Sequence, residues 1–301
     1  MDRFQDGEHV RLRSRVHGTY LHADEDGHGV SLHRRRASMH AAWSVDIYHR
    51  DGPQLLLHSA AYGSYLAATD ARAPPGNRGC RAVQRDYDRR ELEAVRWHAV
   101  WADSGNYVVL RDVAGRCLRA NKRRLGRSNG VSVDDIDDIN KVSTMMHWSV
   151  EIIPAREGMP PLPRPIGLPY PGILDALMPS RMILYVREGA DGSRVTRGSF
   201  VFRGRSVFRL RKKLVRRLRA IMDVSKLVVC VEAGTLGQLT PLVVDLPRSR
   251  QNLRIVVIEA GTPDYCDTRP NLTSSLFLLN SIQLTRSCGA RMCRERPEQE
   301  T

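Results

Sequence analysis

Five cations, Arg209, Lys212, Lys213, Arg216 and Arg219, recur at spacings that gather them on one side of a helix. At about 100° per residue they fall opposite Val207 and Leu214. No acidic residue interrupts the segment 206–222. Such a stripe suits phosphate, an acidic protein surface or an anionic lipid head. An ordinary solvated face has the same composition, so the stripe is a candidate anionic-partner surface. Single-stranded nucleic acid usually also meets stacking aromatics. Aromatic residues are only 6% of this chain, so base readout is unsupported.

Other chemistry is sparse. The ten histidines, at 9, 17, 22, 28, 33, 40, 49, 58, 98 and 147, fall mostly in loops or polar strand positions and read as exposed side chains. Cys288 and Cys293 lack a second pair at zinc-ribbon spacing. The acidic run Asp134 to Asp138 lacks the ligand spacing, glycine and glutamate of a calcium loop. No phosphate-cradling glycine loop, zinc-protease motif or nucleophile elbow occurs. The expectation is therefore no catalytic residue, no metal ligand and no cofactor, hence a binding protein rather than an enzyme.

The basic stripe needs a fold to hold it. Val207, Leu210, Leu214, Leu218 and Ile221 follow helical spacing behind Ser206, a good N-cap. Strands are expected at Met182–Arg187, Ser199–Arg203, Leu227–Glu232, Leu239–Asp245 and Leu253–Ile258. The order ββαβββ suggests a compact β-grasp. Conjugation chemistry needs a free C-terminal Gly-Gly, whereas here the last strand runs into Gly261 and the chain continues to Thr301. The module reads as an interaction domain.

The first half is a threefold repeat. The segments Val10 to Ala23, Leu55 to Ala68 and Val108 to Ala120 align, each with a glycine at its turn: Gly18, Gly63 and Gly115. Each unit later meets a tryptophan closely followed by valine, and Trp43, Trp97 and Trp148 are 54 and 51 residues apart. Val10 and Leu12 alternate with Arg11 and Arg13, the period of a half-buried strand. Three β units that cannot each bury a core can share one, and closing them into a barrel removes exposed edges. Leu12, Leu57, Leu110 and the three tryptophans are the expected repeat core.

These 301 residues therefore divide into two modules. The boundaries are 1–153 for the repeat, 154–180 for a spacer with eight prolines, 181–261 for the β-grasp and 262–301 for a poorly ordered tail. The stiff spacer predicts modules that move semi-independently. The net charge of +14 is uneven: residues 154–262 hold 19 Lys+Arg against 8 Asp+Glu, whereas 1–153 hold 23 against 20. Nearly all of it is arginine, which a coding bias would also produce. No stretch approaches the ~18 apolar residues of a membrane span, and residues 1–6 lack the apolar run of a secretory signal. Six scattered cysteines then read as reduced thiols in the cytoplasm or nucleus.

Residues 1–153 resemble a β-trefoil of the fascin-like, actin-cross-linking superfamily, and more closely the plant "domain of unknown function 569" family. The carrying segments begin at Val10, Gly63, Arg81 and Val131 and end with Met145 to Glu151. Residues 181–261 resemble the ubiquitin-like domain that accompanies that trefoil, through Phe200 to Arg211 and Leu239 to Arg248. The tail departs from the family pattern. The resemblance implies a mainly β protein with an α+β second module, β-trefoil plus ubiquitin-like β-grasp, and brings in actin as a protein partner. Cross-linking needs two filament sites, so one trefoil suffices only with dimerisation or a second site on the β-grasp. Nucleic acid or anionic lipid, bound through the basic second module, is the alternative.

Overall fold

The computed structural model describes residues 4–49, 52–102, 105–121, 130–136, 142–154, 180–188, 194–218, 227–233 and 239–259. Nearly all of the proline-rich spacer, the tail with Cys288 and Cys293, the end of the acidic run, Arg219 and Ile221 lie outside them.

Twelve strands build the repeat: β1 His9–Ser14, β2 Tyr20–Ala23, β3 Val30–His33, β4 Trp43–Tyr48, β5 Gln54–Ser59, β6 Tyr65–Arg72, β7 Cys80–Arg85, β8 Trp97–Ala102, β9 Tyr107–Asp112, β10 Cys117–Ala120, β11 Val131–Asp134 and β12 Trp148–Ile153. One helical turn, α1 Leu92–Val95, precedes β8. Strands β1, β4, β5, β8, β9 and β12 form a closed antiparallel barrel, shut where Leu12 of β1 meets Val150 of β12. The hairpins β2–β3, β6–β7 and β10–β11 cap one end. They join through Ser132 with Arg81, Gly29 with Val83, and Ser31 with Gly130.

The threefold rule reaches individual atoms. Trp43 pairs with Val10, Trp97 with Leu55 and Trp148 with Val108. Each indole N–H donates to a leucine carbonyl in the second strand of its own unit: Leu21 at 3.1 Å, Leu66 at 3.0 Å and Leu118 at 3.0 Å. All three tryptophans are completely buried, as are Leu12, Leu57 and Leu110. A capped 3-10 turn delivers each tryptophan, with the side chains of Ser38, Asp88 and Ser143 accepting backbone N–H groups. Gly18, Gly63 and Gly115 all hold positive φ, where a side chain is strained.

Among the described residues the second module is a five-stranded sheet with one helix. Its elements are β13 Ser180–Glu188, β14 Arg194–Arg203, α2 Val207–Arg217, β15 Leu227–Glu232, β16 Leu239–Pro241 and β17 Leu253–Glu259. The sheet order is β14-β13-β17-β15-β16, with β13 and β17 parallel. Val207, Leu210 and Leu214 pack on Ile183, Phe200, Phe202, Val229 and Val257. The fourth strand stops at Pro241, short of the expected Asp245. Pro241 pairs with Cys230 on this edge strand, and the Leu242 N–H still donates to Val229 O at 2.8 Å before the chain leaves the ladder. Beyond it the chain turns Leu242 and Leu246 into the core, and Asp245 Oδ1 accepts the N–H of Val207 at the helix start, 3.3 Å.

The expectation of semi-independent modules is corrected. Tyr87 N–H donates to Ala233 O at 3.2 Å, and Arg248 N–H donates to Glu25 O at 2.6 Å. The Glu25 carboxylate pairs with Arg205 and Arg248, 3.2 Å each. Ala233 joins an apolar cluster with Leu56, Tyr65, Ala67 and Val95 of the barrel. The prolines describe the spacer alone. Docking depends on surfaces distant from it in the chain.

Two stability outcomes follow from this packing. Trp97→Ala should cost about 3–5 kcal/mol by urea denaturation, as a large-to-small core change. An unchanged midpoint would show that the indole is not structural. A side chain at Gly63 would meet Thr240 Oγ1 of the second module at 3.2 Å, whereas one at Gly115 would meet only the end of Arg111. Gly63→Val should therefore lower the thermal midpoint further than Gly115→Val. Equal losses would show that the contact between the modules contributes nothing.

Candidate functional site

The basic helix begins as its sequence dictates. Ser206 Oγ accepts the Arg209 N–H at 3.4 Å, and Val207, Leu210 and Leu214 are fully buried. The cations divide into two groups. Lys212 and Arg216 are exposed, whereas Arg209 and Lys213 are half-buried. Lys213 folds back, donating to Val201 O at 2.8 Å and lying 5.1 Å from the Phe200 ring. Arg217, outside the predicted stripe, does the same to Ser199 O at 3.5 Å. Ser199 and Val201 lie on β14, the edge of the sheet, so the two cations cover carbonyls that no strand pairs. Lys213 is thus engaged by the fold, which corrects the reading of a fully solvated stripe. Lys212 lies 4.6 Å from the Phe208 ring. Among the described residues no carboxylate pairs with Lys212, Arg216 or Arg217.

The histidines depart furthest from expectation, because His22, His58 and His147 are buried. His58 Nδ1 lies 3.0 Å from Asp46 Oδ2, which also accepts the Tyr65 hydroxyl at 3.1 Å. Arg15 donates to His147 Nδ1 at 3.0 Å. His22 stacks on His40 and meets His33 at a tilt, with ring centroids 5.2 and 4.6 Å away. Burial first, and then its two histidine neighbours, push the His22 imidazolium pKa down to about 3. Burial also lowers His40 and raises Asp24. Alternation correctly puts His22 outside the barrel, opposite to Leu21 and Ala23. Sequence reasoning missed that the turn carrying His40 covers that outer face.

A third feature lies where the modules meet. A cleft of 590 Å³ is lined by Tyr62, Gln84 and Tyr87 from the barrel and by Arg181, Glu232 and Arg254 from the second module. Its lining mixes both charges, and two of its side chains bond the backbone. Gln84 Nε2 donates to Gly29 O at 2.6 Å, and Arg181 Nη2 donates to Pro247 O at 2.6 Å. No helix among the described residues is long and apolar enough to cross a membrane.

Two family models agree with this architecture. A family model described as "DUF569 associated ubiquitin-like domain" matches residues 179–258. No curated protein matches the chain. Among solved structures, a designed threefold symmetric protein, ThreeFoil, is 16% identical, covers 47% of this chain and 96% of its own, and has a TM-score of 0.38. A ricin B-like lectin from Macrolepiota procera, solved with lactose, is 15% identical, with coverages of 50% and 98% and a TM-score of 0.39. The SDF2-like protein from Arabidopsis thaliana is 12% identical, with coverages of 49% and 94% and a TM-score of 0.41. A second family model spans residues 1–158, the whole barrel and more than half of the chain, and by that match the protein belongs to the family "Beta-trefoil domain of unknown function (DUF569)".

Proposed function

We propose that this is a non-enzymatic binding protein of the cytoplasm or nucleus that uses the exposed face of α2 to hold an acidic protein surface. The observation that carries the reading is the state of Lys212 and Arg216. Both are exposed, neither has a carboxylate partner among the described residues, and both sit on a segment with eleven excess positive charges. The core needs neither charge, since α2 docks through Val207, Leu210 and Leu214. The superfamily resemblance makes filamentous actin the first partner to test. Because the barrel and the β-grasp are packed together, a second filament site would come from the barrel or from a second copy of the chain.

The same unpaired cations support a second reading, the phosphates of nucleic acid or of anionic lipid. Salt separates the two. Phosphate neutralisation releases counterions and weakens steeply with added salt. A protein surface reinforced by apolar contact weakens less.

The double variant Lys212→Glu/Arg216→Glu should abolish co-sedimentation with actin filaments while circular dichroism stays native. Exposed substitutions usually change stability by only about 0.5 kcal/mol. Undiminished capture of actin by the variant would remove α2 from the interaction. Capture of duplex DNA or anionic vesicles but not actin, lost in the variant and at high salt, would replace the first reading with the second.

A further inference from the structure

The β2–β3 hairpin gathers an unusual set of side chains on its outer face. His22 and the following Asp24 are two residues apart, so they point the same way. Across the hairpin His22 pairs with Ser31, and His33 lies two residues beyond Ser31 on that same face. Register alone therefore brings His22, Asp24, Ser31 and His33 together. One candidate ligand atom from each of His22, Asp24 and His33 lies within 4.8 Å of the other two.

Two further features suit this group to a cation. His22 is only 7% exposed, and its buried Nε2 has no hydrogen-bond partner. A buried polar atom left unsatisfied is costly, and native structures rarely keep one without a use. Asp24 is held in place, because Ser31 Oγ donates to its Oδ1. Such outer hydrogen bonds orient metal-binding carboxylates.

From this geometry we propose that His22, Asp24 and His33 form a binding site for a zinc-class divalent transition-metal ion. Two imidazoles and one carboxylate are the donors that Zn²⁺ takes with three protein ligands and one open position. Calcium and magnesium prefer oxygen throughout, so they fit this set poorly. Metal–ligand bonds of about 2.0–2.2 Å place tetrahedral ligand atoms about 3.3–3.6 Å apart. The exposed His33 ring closes the remaining gap by rotating. His40 stacks on His22 while its Nδ1 lies 3.0 Å from Ala23 O, a contact that holds the rings in register.

The site adjoins the contact between the modules. Asp24 is followed by Glu25, whose carboxylate pairs with Arg205 and Arg248. Gln84 Nε2 also donates to Asp24 O, at 3.2 Å. A metal ion on Asp24 would stiffen the turn that clamps the β-grasp, so ion binding and docking stabilise one another.

The test is calorimetric titration of the full chain with Zn²⁺ after chelator treatment and desalting. Uptake of one ion per chain with micromolar or tighter affinity is expected, together with a raised thermal midpoint. Exposed His33 can be replaced without disturbing the core, so His33→Ala should weaken binding at least tenfold with native circular dichroism. Asp24→Asn should do the same, whereas His49→Ala, at an exposed histidine outside the group, should leave it unchanged. Absence of Zn²⁺ uptake at micromolar concentrations would overturn the proposal. So would uptake that His33→Ala and Asp24→Asn leave intact, since the ion would then sit elsewhere.

Discussion

Three hydrogen bonds hold the first module together, those from Trp43, Trp97 and Trp148 to the carbonyls of Leu21, Leu66 and Leu118. Each joins the strand that closes a unit to the strand that starts its hairpin. A fully buried indole N–H must find an acceptor, and in each unit one backbone carbonyl is in reach. The bond therefore fixes the angle between barrel and cap. Threefold repetition then closes the barrel, because β4, β8 and β12 each pair with the first strand of the next unit, β5, β9 and β1.

The second module depends on that geometry. Its contacts fall on the second repeat, through Gly63 and Tyr87, and on the turn after β2, through Glu25 and Gly27. These are cap and turn positions, where the repeats are free to differ. Glu25 pairs with Arg205 and Arg248 of the second module, whereas Asp70, at the same position of the second repeat, pairs with Arg116 of the third repeat. The docking surface arises where threefold symmetry is broken.

Charge follows the same logic. The cations of α2 divide between structural and solvent-facing work according to what lies beside them. Lys213 and Arg217 meet the unpaired edge of β14 and cover its carbonyls. Lys212 and Arg216 meet none of those carbonyls and remain available to a partner. A helical wheel places cations on a face, but the edge strand decides which of them stay free.

The sequence by itself determined the threefold repeat and, in the second module, the order of strands and the helix α2. These rest on short-range alternation and on landmarks repeated at near-equal intervals, such as Val10, Leu55 and Val108 with their tryptophans. Local chemistry also set the start of α2, where Ser206 caps it. Strand β16 ended at Pro241, a stop that alternation from Leu239 to Asp245 did not reveal. Only the tertiary structure decided the burial of His22, because the turn bearing His40 covers it from elsewhere in the chain. Docking of Ala233 against Tyr65 was equally illegible, since it joins residues far apart in sequence across surfaces with no periodic signature. Periodicity reports which way a side chain points relative to its own element. It carries no information about what the rest of the chain brings to that side.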